Sequence, residues 1–375
     1  MAMIRILHVV ETIGSGGVER RRLLLCKNLD PQKYQQLVVC TQAYGKFKEE
    51  FLKYGVEVIE VGVLKSPLDF KIHKKVQRII REFQPDIIHG AVFEGVTLAA
   101  INGFMCRVPY RIIEETSAPS NRSKKANLLM QLFAFLSHRI VAVSPATYTY
   151  LTKQLHLPQR KCVLINNGVA MPTFLSNEEK LQVRHQLNLT SEDFVIGSVG
   201  RMHDDAVKRF SDCIRVTALL KAQGIPVKLL LVGGGREKKG YEALVHDLNL
   251  VHEVIFTDYQ NDVQPYYEIM DLFLLLSSTE SFGLVLAEAM LHKLPVVATN
   301  VGGIPYLVDD NHTGILIKNY SLEAIAEQII TLQSNSLIRK EMGENGFQKA
   351  MSNFTETAYC QSVELLYLSL METLS

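Results

Sequence analysis

The stretch LFLLLSSTESFGLVLAEAMLHK, residues 272–293, decides the fold class of this 375-residue chain. An apolar run is followed by a short polar turn with Glu280 and Gly283 and then by a helical pattern that contains Glu288. A run that is apolar on both faces is typical of a central strand in a parallel sheet. The stretch therefore predicts one β–α unit of an open α/β sheet, whose ligands bind beyond the carboxyl ends of the strands.

The same alternation of apolar runs and helical patterns extends to both sides of this stretch. In the N-terminal half the predicted strands are IRILHVV, QQLVVCT, EVIEVGV, DIIHGAV, YRIIEET and RIVAVSP. In the C-terminal half they are FVIGSVG, VKLLLVGG, EVIFTD, LFLLLSS, LPVVATN and TGILI. Residues 165–192 between the two series carry turn residues and one short polar helix, and the residues from about Ser352 onward have a helical pattern. Two parallel sheets and two domains follow from this pattern.

The composition is that of a folded protein with an uneven charge. Apolar residues make up 47% of the chain, which excludes a disordered protein. Residues 1–165 contain 24 Lys+Arg and 13 Asp+Glu and so carry +11, whereas the net charge of the whole chain is +1. A basic half of this kind favours an anionic partner. The six cysteines lack a Cys-x-x-Cys pair, and no run of about 18 apolar residues is present, so reduced thiols and a cytoplasmic location are expected.

The turn of the opening stretch has the chemistry of a phosphate site. The first amides of a helix are free donors with partial positive charge, and Gly283 lets the backbone approach a ligand closely. Glu288 follows Gly283 by five residues, so its side chain lies about one helical turn further along. The spacing alone is equally compatible with a solvated surface helix. A nicotinamide-binding loop is not supported, because Glu19 and Lys238 stand where the last glycine of Gly-x-Gly-x-x-Gly would be.

The segment ESFGLVLAE, Glu280–Glu288, resembles the signature of retaining glycosyltransferase family four, whose members share the GT-B fold. Other segments resemble family motifs in the same order along nearly the whole chain. They are GSGGVER at 14–20, SHRIVAVS at 137–144, INNGV at 165–169, Gly200-Arg201 with Lys208, LVGGG at 231–235 and VGGIP at 301–305.

The resemblance implies an α/β protein of the GT-B class, with two Rossmann-like domains whose parallel sheets face each other across a central cleft. The expected domains are an N-terminal acceptor-binding domain at residues 1–168 and a donor-binding domain at residues 169–352. A C-terminal helix within residues 353–375 is expected to pack back on the N-terminal domain.

The resemblance also implies the donor site. Glu288 would bind the ribose hydroxyls of the nucleotide, and Glu280 would bind sugar hydroxyls together with backbone amides. Arg201 and Lys208 would bind the diphosphate, where charge-assisted hydrogen bonds are strong. Glu280, Arg201 and Lys208 are the predicted catalytic residues. The full predicted donor set is Gly16, Gly17, Arg201, Lys208, Tyr259, Glu280, Ser281, Phe282, Gly283, Leu284 and Glu288.

Two departures from the family pattern concern the N-terminal domain and the loop between Arg201 and Lys208. Thr116 stands where the family often has a histidine, and it follows Glu114 and Glu115. Glu115 and Thr116 are therefore the predicted acceptor-side residues. The loop between Arg201 and Lys208 is longer than usual and contains Asp204-Asp205, two carboxylates that are expected to be solvated. The resemblance implies neither a metal nor another cofactor, the nucleotide-sugar being a substrate.

The basic half also suggests where the protein works. Lys71, Lys74, Lys75, Arg78 and Arg81 share a helical stretch with apolar residues, and Arg122, Lys124 and Lys125 precede LLMQLFAFL. Basic residues beside an apolar stripe suit an anionic membrane interface, which favours peripheral binding at the inner face of the membrane. Nucleic acid is not an expected partner, because no recognition motif or aromatic platform accompanies these residues.

The function implied by the resemblance is that of a retaining hexosyl- or N-acetylhexosaminyl-transferase. It would move a sugar from a nucleotide-sugar donor, with UDP favoured, to a cell-envelope glycan or lipid-linked acceptor. Two alternatives remain open at this stage: a sugar-nucleotide epimerase of the same architecture, and an inactive subunit that binds nucleotide-sugar.

Overall fold

A computed structural model describes residues 3–14, 16–44, 47–116 and 123–372 of the chain. The chain forms two compact units. The first unit runs through Val169 and resumes at Thr355, and the second spans Ala170–Phe354. All six cysteines lie in the described ranges as free thiols, and all but Cys106 are buried.

The first unit is a seven-stranded parallel sheet with helices between its strands. The sheet order is β3-β2-β1-β4-β5-β6-β7. Its strands are β1 (Ile4–Ile13), β2 (Tyr34–Ala43), β3 (Glu57–Glu60), β4 (Ile87–Ala91), β5 (Tyr110–Glu115), β6 (Arg139–Ala142) and β7 (Cys162–Leu164). Its helices are α1 (Gly17–Asn28), α2 (Phe47–Lys53), α3 (Phe70–Phe83), α4 (Val92–Met105), α5 (Lys124–Leu136) and α6 (Pro145–Thr149), with the chain-terminal helix α16 (Glu356–Met371).

The second unit is a six-stranded parallel sheet of order β10-β9-β8-β11-β12-β13. Its strands are β8 (Val195–Val199), β9 (Lys228–Val232), β10 (Val254–Phe256), β11 (Leu272–Leu275), β12 (Val296–Thr299) and β13 (Ile315–Ile317). Its helices are α7 (Asn177–Gln186), α8 (Asp205–Lys208), α9 (Phe210–Ala222), α10 (Lys238–Asp247), α11 (Gln264–Tyr267), α12 (Leu284–Leu291), α13 (Ile304–Leu307), α14 (Leu322–Ser334) and α15 (Ser336–Asn353).

The predicted strands of both halves are confirmed. Strands β8, β11 and β12 are buried along their whole length, as their continuous apolar runs predict. The prediction missed β7, which joins the edge of the first sheet beside β6. Three residues are too few to show a hydrophobic period, so only pairing with β6 identifies this strand.

Helix α16 completes the hydrophobic core of the first unit. Its Val363 and Tyr367 are buried beside Ile6 of β1 and Leu25 of α1. The chain leaves this unit at Val169 and re-enters it at Thr355, and the two segments form a parallel bridge. The amide of Glu356 donates to the carbonyl of Val169 at 2.8 Å. The last helix is therefore hydrogen-bonded and packed within the first unit, although most of the chain separates the two segments.

Helix α3 does not present an apolar stripe to a membrane. Its Ile72, Val76 and Ile80 are buried in a core with Val9 of β1 and Leu37 of β2. From the sequence, these apolar residues and the neighbouring lysines were expected to form an interfacial helix. In the fold the apolar side faces the sheet, and the basic residues form an ordinary solvated outer face.

Helix α5 does expose apolar side chains. Leu128, Leu132 and Phe135 are spaced four and three residues apart, so they share one face, and they are exposed by 67%, 49% and 77%. Lys124 and Lys125, which begin the helix, are also exposed. Arg122, which the sequence analysis grouped with them, lies outside the described residues.

Candidate active site

All the predicted donor residues of the second unit except Tyr259 follow two neighbouring strands of its sheet. Strands β8 and β11 are neighbours, but the chain proceeds from β8 toward β9 on one side and from β11 toward β12 on the other. Such a reversal of strand order leaves a crevice beyond the carboxyl ends of the strands, where open α/β sheets bind ligands. The loop after β8 carries Arg201, and the loop after β11 carries Glu280.

The loop after β8 is held against the loop after β9. The amide of Gly200 donates to the carbonyl of Val232 at 3.0 Å, and the amide of Met202 donates to Gly234 at 2.9 Å. Arg201 lies between these two bonded residues, and its side chain is exposed. Within the described ranges no hydrogen bond or ion pair engages its guanidinium group, so a rigid backbone presents an unneutralised cation.

Asp204 and Asp205 shape the rest of this loop. Asp204 caps α8 by accepting from the amide of Ala206 at 3.1 Å. Asp205 accepts from the hydroxyl of Tyr241 at 2.9 Å and from both the amide and the hydroxyl of Ser211. The expectation that both carboxylates are merely solvated is therefore wrong. They hold the short helix that ends at Lys208.

Lys208 and Glu280 form an ion pair. The Lys208 ammonium donates to Glu280 Oε2 at 2.7 Å, and both side chains are partly exposed. Seventy-two residues separate them in the chain. Two of the three predicted catalytic residues are thus brought into contact, and they leave a compact pair of opposite charges at the edge of the crevice.

The backbone around Glu280 is held by a hydrogen bond from the loop that follows β12. The amide of Gly303 donates to the carbonyl of Glu280 at 2.9 Å. Gly302 has a φ of 55°, and a Cβ atom there would collide with the same carbonyl. Only glycine permits so close an approach in this backbone conformation. The VGGIP segment therefore acts on the site through the backbone.

Helix α12 begins directly after this loop. Gly283 precedes its first residue with a left-handed φ of 99°, and it has no side chain that could cap the free amides. Phe282 is buried and packs edge-on against Phe354 at 5.5 Å, so it contributes its backbone rather than its ring. Ser281 and Leu284 on either side are partly exposed. The start of α12 is thus open to an anionic or hydroxyl-bearing ligand.

Glu288 lies one turn into α12 and is partly exposed. Its Oε2 accepts a hydrogen bond of 2.8 Å from the hydroxyl of Tyr267, the last residue of α11. Tyr259 follows β10 and is exposed, with its backbone beside Gly234. Tyr267 is a residue of the site that sequence reasoning missed, because a tyrosine before an apolar strand gives no functional signal.

The glycine loop of the first unit follows β1. Gly16 precedes α1, and Gly17 is the first residue of that helix. The carboxylate of Glu19 folds back over Gly16 and accepts a hydrogen bond of 2.9 Å from Thr12. Ser15 lies outside the described residues.

Glu115 and Thr116 line a shallow, open concavity in the first unit. Phe93 and Phe133 form part of its apolar wall. Val92, also on this rim, has a φ of 64°, which is rare and strained for a β-branched residue. Glu115, which is buried, is the last residue of β5, and Thr116 follows it. Both predicted acceptor-side residues therefore lie at the carboxyl end of that strand.

Glu114, the neighbour of Glu115, also lines this concavity, and its carboxylate belongs to a buried charge cluster. Arg21 and Arg22 donate to its two carboxylate oxygens at 2.8 and 2.9 Å, and all three side chains are buried. His89 lies 2.9 Å from the same carboxylate and 2.7 Å from the hydroxyl of Tyr367 on α16. Both arginines are part of the +11 of residues 1–165, which the sequence analysis took to favour an anionic partner. Because they are buried and share the Glu114 carboxylate, they do not contribute to a basic surface.

The protonation of this cluster follows from its burial. Burial alone would raise the pKa of Glu114, but Arg21 and Arg22 hold it well below its usual range. Burial and the neighbouring Arg22 lower the pKa of His89 to about 4. At neutral pH the cluster therefore contains a carboxylate, two guanidinium groups and a neutral imidazole.

No group of three or more His, Cys, Asp or Glu side chains in the described parts of the chain could hold a metal ion. Among the helices of those same parts, none is long and apolar enough to cross a membrane.

Comparison with known proteins identifies relatives along the whole chain. The capsular polysaccharide biosynthesis glycosyltransferase CapM of Staphylococcus aureus is 25% identical over 337 residues, covering 85% of this chain and 87% of that protein. The N-acetyl-alpha-D-glucosaminyl L-malate synthase of Bacillus anthracis is 34% identical over 220 residues, covering 59% and 57%. The crystal structure of Anabaena Alr3699/HepE in complex with UDP has a TM-score of 0.85 at 23% identity, covering 98% of this chain and 100% of that one.

Family models match each half of the chain. Residues 15–171 match the model described as Glycosyltransferase Family 4, and residues 179–349 match the model described as Glycosyl transferases group 1. The two Rossmann-like parallel sheets are those of the GT-B fold. The chain belongs to the group 1 glycosyltransferases of family 4.

Proposed function

We propose that this glycosyltransferase moves a hexosyl or N-acetylhexosaminyl group from a UDP-sugar to a cell-envelope glycan or lipid-linked acceptor, with retention at the anomeric carbon. The observation that carries the proposal is the ion pair between Lys208 and Glu280, beside the open start of α12. This ion pair places the Lys208 cation, which would bind a diphosphate, next to the Glu280 carboxylate, which would bind sugar hydroxyls.

The proposed chemistry needs positioning and charge stabilisation rather than a protein nucleophile. The bond between the anomeric carbon and the diphosphate oxygen breaks, and a bond from that carbon to the acceptor oxygen forms on the same face. The acceptor's proton passes to the departing phosphate. Arg201 and Lys208 stabilise the negative charge that grows on the diphosphate, which is the electrostatic contribution that catalytic cations make.

In this proposal the other donor residues contact different parts of the nucleotide-sugar. Glu288 binds the ribose, Glu280 binds the sugar, and the amides from Ser281 to Leu284 contribute donors at the helix start. Tyr259 and the loop of Gly16 and Gly17 complete the donor set. Neither a metal nor another cofactor takes part in the proposed reaction.

Two relatives support the finer parts of the proposal. CapM acts in capsular polysaccharide biosynthesis, which favours a cell-envelope acceptor. HepE binds UDP, which favours a uridine nucleotide. Glu115 and Thr116 at the apolar rim of the first unit are the proposed acceptor contacts.

The direct test is product analysis. The protein is incubated with a panel of UDP-, GDP- and ADP-sugars and a cell-envelope extract, and products are identified by mass spectrometry and by the anomeric NMR signal. A new glycoside that retains the donor's anomeric configuration is expected with a UDP-sugar. Conversion of the donor in the absence of any acceptor would indicate an epimerase instead, and nucleotide binding without turnover would indicate an inactive subunit.

The proposed ribose contact predicts that Glu288→Ala weakens UDP binding about ten- to a hundredfold, since charge-assisted hydrogen bonds are worth about 1.5–3 kcal/mol. Isothermal titration calorimetry with UDP measures the effect. Glu323→Ala, on α14, is the control for loss of a helical carboxylate. Equal UDP affinity of Glu288→Ala and the wild type would contradict the ribose role.

A membrane-bound acceptor is the second part of the proposal. Helix α5 supports this part of the proposal. Its Leu128, Leu132 and Phe135 form an exposed apolar face. The helix begins with Lys124 and Lys125. An apolar face of this kind inserts at the headgroup boundary, while the lysines attract anionic lipid. The enzyme would meet a lipid-linked acceptor at the cytoplasmic surface of the membrane.

This part predicts binding to anionic but not to neutral vesicles, measured by co-sedimentation. Each lysine near the surface contributes about 1 kcal/mol, so Lys124→Gln with Lys125→Gln should weaken binding about tenfold or more. Leu128→Ser with Phe135→Ser should also weaken it, whereas Leu337→Ser, at a 79% exposed leucine of the second unit, should not. Binding should decrease at 1 M salt, where the Debye length is about 3 Å. Equal partition onto both vesicle types, or onto neither, would favour a soluble acceptor.

A further inference from the structure

Tyr267 is a buried tyrosine whose only polar atom is directed at the donor site. It ends α11, and its side chain is almost completely buried. Its hydroxyl donates to Glu288 Oε2 at 2.8 Å, whereas the carbonyl of Val285 lies at the longer distance of 3.4 Å. The hydroxyl has one proton, so the carboxylate is its main acceptor.

The ring that carries this hydroxyl is fixed on two sides. It stacks on His292 with centroids 5.2 Å apart and an interplanar angle of 19°, and it lies 5.7 Å from Phe273 of β11. These aromatic contacts leave little freedom for the tyrosine side chain.

His292 is itself held in place. It lies 2.6 Å from Glu268, and Lys180 of α7 donates to the other oxygen of that carboxylate at 2.8 Å. Burial alone would raise the pKa of Glu268, but the hydrogen bonds from His292 and Lys180 lower it, so the group stays ionised. A chain of contacts thus runs from α7 through Glu268, His292 and Tyr267 to Glu288.

This arrangement matters because a glutamate on a helix has several accessible rotamers. Binding a ligand with such a side chain requires that one rotamer be selected, and the entropy lost weakens binding. A rigid buried donor that holds one carboxylate oxygen selects the rotamer before the ligand arrives.

We propose that Tyr267 is a positioning residue for nucleotide recognition, which it performs by orienting the Glu288 carboxylate toward the ribose hydroxyls. The inference rests on the proposed function, since it takes Glu288 as the ribose ligand. Tyr267 itself touches no substrate and plays no part at the bond that breaks.

The test is Tyr267→Phe in the full chain, which removes one oxygen and keeps the ring. UDP affinity measured by calorimetry should fall about three- to tenfold. This is less than the loss expected for Glu288→Ala, because the ribose ligand remains and only its orientation before binding is lost. The KM for the UDP-sugar should rise similarly, while kcat at saturating donor should stay near the wild-type value, because the ribose is remote from the reacting carbon. Tyr266→Phe removes the hydroxyl of the neighbouring residue and is the matched control, with unchanged UDP affinity expected.

A double-mutant cycle separates positioning from general packing. In a Glu288→Ala background, Tyr267→Phe should cause no further loss of UDP affinity, because the oriented group is gone. Multiplicative losses would overturn the inference, and so would wild-type UDP affinity of Tyr267→Phe in a chain where Glu288→Ala binds weakly. Unchanged UDP affinity of Glu288→Ala would instead overturn the proposed ribose role, and the inference with it.

Discussion

Arg201→Ala and Lys208→Ala should each reduce kcat about a hundred- to a thousandfold while leaving the fold intact. Arg201 lies on a loop whose backbone is held by Gly200 and Met202, and Lys208 ends α8, which Asp204 and Asp205 hold. Removal of one donor that stabilises developing negative charge has effects of about this size. Steady-state kinetics with saturating donor and acceptor measures the loss.

Lys221→Ala is the control for these two variants. Lys221 is on α9 and pairs with Glu253 at 2.9 Å at a partly exposed position. Its loss should leave kcat unchanged, since pairs of this kind contribute little even to stability. If Arg201→Ala and Lys208→Ala also retained near-normal turnover, the diphosphate would have to bind elsewhere. Arg201→Lys, which keeps the charge but not the planar fork, should be less impaired than Arg201→Ala.

Glu114→Ala should destabilise the first unit by about 3–5 kcal/mol. The substitution leaves the guanidinium groups of Arg21 and Arg22 buried without a counter-charge, and breaking a buried pair by removing one partner has this cost. It also removes the carboxylate from His89, which contacts Tyr367 of the last helix. Hydrogen exchange at the amides of β4 and β5, at increasing urea, reports the free energy of opening in this unit.

Glu82→Ala provides the contrast on the same unit. Glu82 accepts from Arg78 at 2.7 Å, but both side chains are mostly exposed. An exposed pair one helical turn apart is worth about 0.5 kcal/mol or less. A loss for Glu114→Ala no greater than that for Glu82→Ala would show that the buried cluster is dispensable for stability.

The sequence by itself determined the described strands other than β7, the two parallel sheets and the position of the candidate site within the second unit. The reason is local: LFLLLSS is apolar on both faces, so it can only be a buried strand or part of a buried helix, and the turn ESFG that follows excludes a continuing helix. Because the carboxyl ends of parallel strands share one edge, Arg201 and Glu280 could be assigned to one edge of the sheet from sequence order alone. Strand β7 was not predicted, because three residues are too few to show a hydrophobic period.

Only the tertiary structure decided which charges face solvent and which side chains touch. Arg21 and Arg20 are indistinguishable in the sequence. Arg21 is nevertheless buried, in contact with Glu114, which is 93 residues away in the chain. Lys208 meets Glu280 across 72 residues, and Tyr267 meets Glu288 across 21, through contacts that no local pattern encodes. A helix propensity or an apolar period is a property of neighbouring residues, whereas an ion pair or an oriented carboxylate depends on distances that exist only after the sheet has assembled.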